Sequence, residues 1–324
     1  MARRRSKKRE ISVLWTLAIL VLLAIFKPEI FSEFSGGAKG AVVKSSVSIP
    51  TPLRDEGKIR VCVWNLRSYL DTYRVKDGEN RKAPKPESEK LEILETLKKI
   101  NPDVLGAVEI GGKPNLLEFA GLLSSGGLNY PYMAVSDESP DYPQTAILSK
   151  IPFKKAVAAG REPFDYFGAK ARSPRGVLLA EFGGGGARWR FGVLHLKSRY
   201  GAKKRDPDFS DFRVAECRVI SNFLRGKIAD GSAIIIGGDF NDEPGCPSIK
   251  TLEKSKLKVL PQRGKNGKPY SYFWAKKNES RQFDFFMAAN FPAGLEYCAE
   301  VLPVIKSASD HAPVFVDLDF AKNN

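Results

Sequence analysis

The sequence predicts an α/β fold in which strands and helices form one sandwich-like domain between residues 58 and 320. Two observations predict it. Short apolar runs typical of strands alternate with amphipathic helical patterns, and neither an internal repeat nor a second domain boundary interrupts them. Several of the apolar runs end on acid, amide or imidazole side chains, which is how an active site is built at one edge of a sheet.

Strands are predicted where short apolar runs are rich in Val, Ile and aromatic residues. These runs cover residues 59–65, 103–109, 144–149, 175–182, 189–195, 233–238, 282–287 and 313–318. Residues 183–186 are four glycines between two of the runs, so we expect a β-hairpin there.

Two helices are predicted from apolar spacing. Residues 86–100 place Leu91, Leu94, Leu97 and Ile100 three apart, with acids leading and lysines trailing, as the helix dipole favours. Residues 211–229 place Phe212, Ala215, Val219 and Phe223 on one face, with Leu224 as a further candidate for it. The four cysteines are scattered and form no Cys-x-x-Cys pair, so the sequence predicts no zinc site.

Charge points to an anionic partner. The 324 residues carry a formal charge of +15, of which residues 1–10 contribute six cationic side chains and one Glu. The remaining +10 is spread over the rest of the chain and favours nucleic acid, phosphorylated lipid or another phosphoester. A surface kept soluble by its net charge explains the same composition equally well.

The N-terminal 57 residues are predicted to lie outside the domain. Residues 1–10 form a basic tail, expected on the cytoplasmic side of a membrane. Residues 11–26 are apolar and uncharged, and they predict either a transmembrane anchor or a signal peptide. We favour the anchor because no small-residue cleavage site follows at once. Residues 27–57 predict a flexible linker, so the domain is expected to be membrane-anchored or secreted, on the extracytoplasmic side.

Eight polar groups end or interrupt the apolar runs and form the candidate site. Taken singly, an Asp or Asn after a strand is more often a turn residue than a catalyst. Taken together, they predict hydrolytic chemistry at one edge of a sheet. They are Asn65, Glu109, His195, Asp239, Asn241, Asp284, Asp310 and His311, and they include both histidines of the chain.

These motifs resemble the endonuclease/exonuclease/phosphatase superfamily, which has the DNase I-like fold. The matching pieces, in the order of the family, are Trp64-Asn65, Val108-Glu109, residues 195–198, residues 238–241, Phe283-Asp284 and residues 309–311. The resemblance implies two packed mixed β-sheets flanked by helices, preceded here by the N-terminal apolar helix. One departure is Gln282, where the family often has an Arg.

The resemblance also implies roles for the eight residues. Glu109, Asn65 and Asp310 are expected to hold Mg²⁺, for which Mn²⁺ could substitute, because Mg²⁺ prefers oxygen ligands. The other five form the catalytic set. His311 is expected to act as a base oriented by Asp284, and Asp239 to hold or deprotonate the water or to bind the metal. Asn241 and His195 are expected to donate hydrogen bonds to phosphate oxygens, and His195 could protonate the leaving group. The division of these roles stays open.

The expected activity is divalent-metal-dependent phosphodiester hydrolysis by a secreted or membrane-anchored nuclease, and an endonuclease is the class we expect. A lipid or small-molecule phosphoesterase, like a sphingomyelinase or an inositol phosphatase, is the alternative, as is an inactive surface-binding module. We expect a monomer with no protein partner.

Basic residues after His195 are candidates for contacts with a phosphate backbone, against the alternative of a solvated loop: Lys197, Arg199, Lys203, Lys204, Arg205 and Arg213. Residues 270–274 are aromatic and could stack a base, but we favour a core strand with one exposed face.

Overall fold

The computed structural model describes residues 42–44 and 58–320, except for 77, 140–141, 185–186, 202–203, 265–266 and 292–296. The basic tail, the apolar segment and most of the linker lie outside the described residues, so the anchor stays a prediction. Within the described ranges, no helix is long and apolar enough to span a membrane.

The elements of the described residues are numbered in chain order. The helices are α1 (Glu87–Ile100), α2 (Lys113–Ser125), α3 (Ser210–Ile228) and α4 (Pro247–Glu253). The strands are β1 (Val42–Lys44), β2 (Lys58–Tyr69), β3 (Thr72–Lys76), β4 (Glu79–Ala83), β5 (Val104–Ile110), β6 (Tyr132–Val135), β7 (Gln144–Ser149), β8 (Phe153–Ala159), β9 (Phe164–Tyr166), β10 (Ala169–Ala171), β11 (Val177–Gly184), β12 (Ala187–His195), β13 (Ala233–Asp239), β14 (Lys258–Val259), β15 (Gln262–Gly264), β16 (Tyr272–Trp274), β17 (Glu279–Arg281), β18 (Asp284–Ala289), β19 (Ala299–Val301) and β20 (Val314–Asp319).

The strands form two large mixed sheets. The first has the order β1–β6–β7–β5–β2–β20–β19–β15, and the second has the order β14–β18–β13–β12–β11–β8. Near the middle of each sheet lies one parallel pair, β2 with β5 and β12 with β13, and most other neighbours are antiparallel. Three hairpins stand apart from these sheets: β3–β4, β9–β10 and β16–β17. The predicted α/β sandwich of two mixed sheets is confirmed.

Alternation along each strand builds a four-layer structure, because successive side chains point to opposite faces. On β2, Val63 packs with Val193 and Phe286 between the two sheets. The next residue, Trp64, joins the cluster that α1 and α2 cover on the outer face of the first sheet. Helices α3 and α4 cover the outer face of the second sheet. Each large apolar side chain buried in this way stabilises the fold by about 1.5–3 kcal/mol.

Two glycines let the sheets approach each other closely. A Cβ at Gly106 of β5 would lie 2.6 Å from Val193 Cγ2, and one at Gly237 of β13 would lie 2.6 Å from ring carbons of Phe286. The same atom at Gly237 would lie 2.9 Å from Val63 Cγ1 on the opposite sheet. A larger residue at either position would therefore force the central strands apart.

Both predicted helices are present, and their buried faces agree in part with the predicted ones. In α1 the buried residues include Ile93, Leu94 and Leu97, whereas Leu91 is exposed. A spacing of three residues drifts from the 3.6-residue period of a helix, which moves the first residue of the series off the buried face. In α3 the buried face is centred on Cys217, Ile220 and Leu224, and Phe223 is only partly buried. Helix α2 was not predicted. All four cysteines are free thiols.

We expect Gly237→Ala to lower the free energy of unfolding by about 1–3 kcal/mol, because the added methyl group overpacks the interface between the sheets. Urea denaturation followed by circular dichroism measures it. Gly121→Ala is the matched control, since Gly121 lies on the exposed face of helix α2 and nothing lies within 4 Å of the added atom. There we expect no loss, or a gain of up to about 1 kcal/mol. Equal effects of the two changes would contradict the close approach of the sheets.

Candidate active site

Three neighbouring strands of the second sheet carry acid and imidazole groups in one row. Strand β12 ends at His195 and β13 at Asp239, while β18 begins at Asp284. The register pairs His195 with Asp239 and Asp239 with Asp284, so their side chains project from the same edge on the same face. Gly238 has a φ of 141°, and a Cβ there would lie 2.0 Å from Leu194 O, so the backbone before Asp239 requires glycine.

The first sheet contributes an amide and a carboxylate at the matching edge. Asn65 of β2 pairs with Val108 of β5. Glu109 follows with a φ of 61°, at an irregularity where the register shifts before Ile110. Asn65 Nδ2 donates a hydrogen bond to Asp239 Oδ2 at 3.0 Å, so the two sheets meet directly at the site.

The segment before β20 inserts an imidazole between the sheets. Ser309 Oγ donates to Asn65 O at 2.8 Å, and His311 N donates to Ser309 Oγ at 3.0 Å. Trp64 Nε1 donates to His311 O at 2.9 Å. The ring of His311 then places Nδ1 2.7 Å from Asp284 Oδ2, and this hydrogen bond fixes both the tautomer and the plane of the ring.

The carboxylate of Asp239 lies at the centre of the site. Its Oδ2 accepts hydrogen bonds from Asn65 and from Asn241 Nδ2 at 3.1 Å, and its Oδ1 accepts from Asn241 N at 2.8 Å. The same Oδ2 lies 3.5 Å from His195 Nε2 and 3.8 Å from His311 Nε2. Asn241 Nδ2 also donates to Leu196 O, so both of its amide hydrogens are engaged and Asn241 positions Asp239.

Burial and neighbouring charges give Asp239 and His311 unusual protonation. Burial raises the pKa of Asp239 to about 7, against the opposing effect of His311. Burial alone would lower the pKa of His311, but Asp284 and Asp239 raise it to about 10. At neutral pH, His311 therefore carries a proton and Asp239 is close to its own midpoint.

His195 is held in the opposite state. Burial lowers its pKa well below the ordinary value, and the nearby charges of Arg175, His311 and Lys197 lower it further. The buried guanidinium of Arg175 donates from Nε to His195 O at 2.9 Å. His195 Nδ1 is buried without a hydrogen-bond partner, and Nε2 lies 3.9 Å from Glu109 Oε1. His195 is thus a neutral imidazole facing two carboxylates.

An aromatic stack supports the other face of the catalytic edge. The ring of Tyr272 lies 4.7 Å from that of His311 and is stacked on Phe283 at 5.1 Å. The guanidinium of Arg199 lies 5.0 Å from the Phe283 ring centroid. The sequence motifs do not predict this contact of Tyr272 with His311, although the aromatic run at residues 270–274 is visible in the sequence.

The donor set fits a hard divalent cation. The buried carboxylate of Asp239 has Asp284 and Glu109 as neighbouring acids, and His311 offsets only part of this negative charge. Oxygen donors of this kind are what Mg²⁺ and Mn²⁺ bind. Asp310 lies at the rim, where its Oδ1 is 3.9 Å from Arg67 Nε.

A second arrangement of ligand atoms also has metal-like spacing. Asp239, Asp284 and His311 offer atoms within 4.8 Å of one another. However, His311 Nδ1 and Asp284 Oδ2 already form a hydrogen bond at 2.7 Å, and a metal would have to break it. This cluster therefore fits proton handling better than metal binding, and Glu109 and Asn65 remain the predicted ligands.

The strand carrying Asn65 continues into a bulge that orients both of these ligands. Arg67 and Ser68 have φ values of 48° and 57°, a conformation that costs a non-glycine residue about 1–3 kcal/mol. It turns their amides toward the site. Arg67 N donates to Asn65 Oδ1 at 2.9 Å, and Ser68 N donates to Glu109 Oε2 at 2.8 Å.

Two cations bind the carbonyl groups of the same bulge from the other side. Lys85 Nζ donates to Arg67 O at 3.2 Å, and Arg74 Nη2 donates to Ser68 O. The side chain of Lys85 is fully buried and its ammonium group pairs with Glu89 at 2.7 Å. Lys85 lies in no recognisable motif, so only the structure identifies it as a positioning residue.

The basic residues after His195 are divided between structure and surface. Arg213 is fully buried and its Nε donates to Asp242 at 3.1 Å, so it is neither a phosphate contact nor a solvated side chain. Arg199 pairs with the same Asp242. Lys204 and Arg205 are exposed, whereas Lys203 lies outside the described residues.

Two packed mixed sheets between helical layers, with acid and imidazole groups at one shared edge, define the DNase I-like class of proteins. The chain belongs to the endonuclease/exonuclease/phosphatase family, a family of phosphoesterases, whose model matches residues 62–311. A comparison with curated protein sequences gives no match.

Solved structures agree on the fold. Sphingomyelinase C from Streptomyces griseocarneus is 16% identical, with 83% of this chain and 100% of that chain covered and a TM-score of 0.58. A beta toxin mutant from Staphylococcus aureus with bound magnesium ions is 17% identical over 80% of this chain and 99% of that chain, with a TM-score of 0.58. The human Nocturnin catalytic domain is 19% identical over 86% of this chain and 96% of that chain, with a TM-score of 0.55. At these identities, the likeness concerns the fold alone.

We expect Lys85→Met to weaken metal binding about 10- to 100-fold, the usual effect of losing a group that orients a ligand. The measurements are Mg²⁺ binding by calorimetry and the Mg²⁺ concentration at half-maximal activity. Lys85→Arg should restore part of the affinity. Lys90→Met is the matched control, because Lys90 is also buried but pairs with Glu87 and Glu118. An unchanged Mg²⁺ affinity in Lys85→Met would show that the bulge does not depend on this lysine.

We expect the stability conferred by His311 to depend on pH. Its folded pKa of about 10 lies above the ordinary 6.5, so the stabilisation is complete below about pH 6.5 and is lost as the pH rises toward 10. His311→Gln, unfolded by urea in EDTA, should be less stable than the wild type by on the order of 3 kcal/mol at pH 6, since it breaks a buried ion pair. The difference should shrink steadily up to pH 10, and a difference that stays constant would contradict a protonated His311.

Proposed function

We propose that this chain is a divalent-metal-dependent phosphodiester hydrolase that cleaves nucleic acid. The observation that carries the proposal is the placement of Asp239. Its carboxylate bridges the two sheets and lies between a neutral and a protonated imidazole, within 3.5 Å of His195 Nε2 and 3.8 Å of His311 Nε2. A carboxylate that can accept a proton, placed beside a protonated imidazole that can donate one, suits the attack of water on an anionic phosphate.

Asp239 is the proposed general base. A base works best when its pKa lies near the operating pH, and burial raises the pKa of Asp239 to about 7. The hydrogen bonds from Asn65 and Asn241 hold the carboxylate in place while leaving it able to accept the proton of an attacking water. His311 is a poor base because it already carries a proton.

His311 and His195 are the proposed phosphate-binding groups. Asp284 keeps His311 protonated, so its Nε2–H can donate a charged hydrogen bond to a phosphate oxygen. Neutral His195 faces the carboxylates with Nε2 and can donate a hydrogen bond to a non-bridging or leaving oxygen. Its low pKa argues against proton transfer from a free imidazolium.

Glu109 and Asn65, with Asp310 at the rim, are the proposed metal ligands. A bound divalent cation would neutralise the phosphate charge and polarise its oxygens. The bulge at Arg67 and Ser68 orients the ligand oxygens, and Lys85 holds the bulge from behind.

The choice of nucleic acid rests on charge. The chain beyond residue 10 has a formal charge of +10, which attracts a polyanion and makes its binding dependent on salt. The intact set of catalytic groups argues against an inactive binding module.

We expect full-length protein with Mg²⁺ or Mn²⁺ to hydrolyse nucleic acid, and EDTA to abolish the activity. Asp239→Asn should lower kcat by about 10²- to 10⁴-fold, the usual contribution of a general base. Asp317→Asn is the matched control, because Asp317 pairs with Arg60 on the surface and should keep full activity. The assay panel is plasmid, single-stranded DNA, RNA, sphingomyelin and a chromogenic phosphodiester. Undiminished turnover in EDTA, or hydrolysis of sphingomyelin alone, would overturn the proposal.

A further inference from the structure

The aromatic run at residues 270–274 forms an exposed hairpin, so the preferred prediction of a core strand is wrong. Strands β16 and β17 form a two-stranded sheet that belongs to neither large sheet, and Tyr272 of β16 makes one isolated antiparallel bridge to His311. In this run only Ser271 is buried, while Tyr270 is 43% exposed and Trp274 38% exposed. A protein that leaves several aromatic rings in solvent beside a candidate active site has a surface suited to stacking.

The hairpin is attached directly to the segment that carries His311. Phe273 N donates to Asp310 O at 3.0 Å, and Ala312 N donates to Ser271 O at 2.6 Å. These backbone bonds flank the contact between the rings of Tyr272 and His311. The position of the hairpin relative to the scissile bond is therefore set by the backbone rather than by a loose loop.

Lysines lie against the rings of this surface. Lys277 Nζ is 4.4 Å from the Trp274 ring centroid, and Lys306 Nζ is 4.0 Å from that of Phe273. Aromatic faces with ammonium groups beside them suit a ligand that alternates flat bases with phosphates, because each base has a π-face and each phosphate a negative charge.

We infer that the hairpin β16–β17 binds the unpaired bases of a single-stranded nucleic acid, with Trp274 as a stacking residue. The inference rests on the proposed function, since the scissile phosphate would lie at Asp239 and His311. A duplex is a poorer ligand because its bases already stack on each other and hide their faces.

A membrane is a poorer occupant of the same hairpin. The turn between the strands, residues 275–278, is exposed and includes Lys276, Lys277 and Asn278. A hairpin that enters hydrocarbon needs an apolar tip, because charged side chains are costly there. The polar tip of this hairpin favours a ligand that stays in water.

Tryptophan fluorescence tests the inference. Among the described residues, Trp64 and Trp189 are buried and Trp274 is exposed. The full-length protein is titrated in EDTA with single-stranded oligothymidylate, with a duplex of the same length, and with phosphatidylcholine vesicles. The signal of Trp274→Phe is subtracted from that of the wild type to isolate Trp274. Affinity is measured in parallel by anisotropy of a labelled strand.

We expect the single strand to quench Trp274 and to bind more tightly than the duplex. Trp274→Ala should raise the Kd for the single strand about fivefold or more, and Trp274→Phe should retain most of the affinity. Hydrolysis of the chromogenic diester should stay unchanged. Leu117→Ala is the control, since Leu117 is a comparably exposed apolar side chain on α2.

Several results would overturn the inference: no quenching, an equal response to duplex and single strand, or a blue shift with vesicles alone. These outcomes are separate from a failure of the proposed nuclease. Binding and quenching in EDTA do not require turnover, so a chain that binds single strands but cleaves only the small diester would keep the binding surface and lose the nuclease assignment. Cleavage of nucleic acid by the wild type, with a Kd that is unchanged in Trp274→Ala, would keep the nuclease assignment and rule out the binding surface.

Discussion

The short distance between the two sheets is the constraint on which the site depends. Each sheet and the segments next to it supply four of the eight candidate site residues, and the hydrogen bond from Asn65 to Asp239 requires the sheet edges to meet. Gly106 and Gly237 remove the side chains that would hold the central strands apart. Packing in the core, far from any substrate, thus sets the distances between reacting groups at the edge.

The two histidines show how position decides protonation. Both are buried, which by itself lowers the pKa of an imidazole. Asp284 and Asp239 raise the pKa of His311, so it gains a proton, whereas burial keeps His195 neutral and the charges of Arg175 and His311 add to that effect. One residue type therefore supplies both a cation and a neutral hydrogen-bond donor in a site only a few ångströms wide.

The strand-end motifs were predictable from sequence because strand ends on neighbouring strands must meet at a sheet edge, and His195, Asp239 and Asp284 do so. Contacts between segments that are distant in sequence were not predictable in this way. Lys85 is an ordinary lysine in the sequence and becomes a positioning residue only through the carbonyl of a bulge. Helix α2 escaped prediction although Leu116, Phe119 and Leu123 recur at helical spacing, since few charges mark its outer face.

The pairing of the last strand with the first has a consequence for synthesis. Strand β20 lies between β2 and β19 and pairs Lys58 with Asp319. One edge of β2 therefore cannot form its backbone hydrogen bonds until β20, at the other end of the domain, has been translated. The segment carrying His311 arrives with that closing strand. A ribosome-bound chain stopped before residue 309 lacks the imidazole as well as the strand that completes the sheet. The proposed chemistry, which depends on His311, would therefore begin only after this last strand of the domain has been translated.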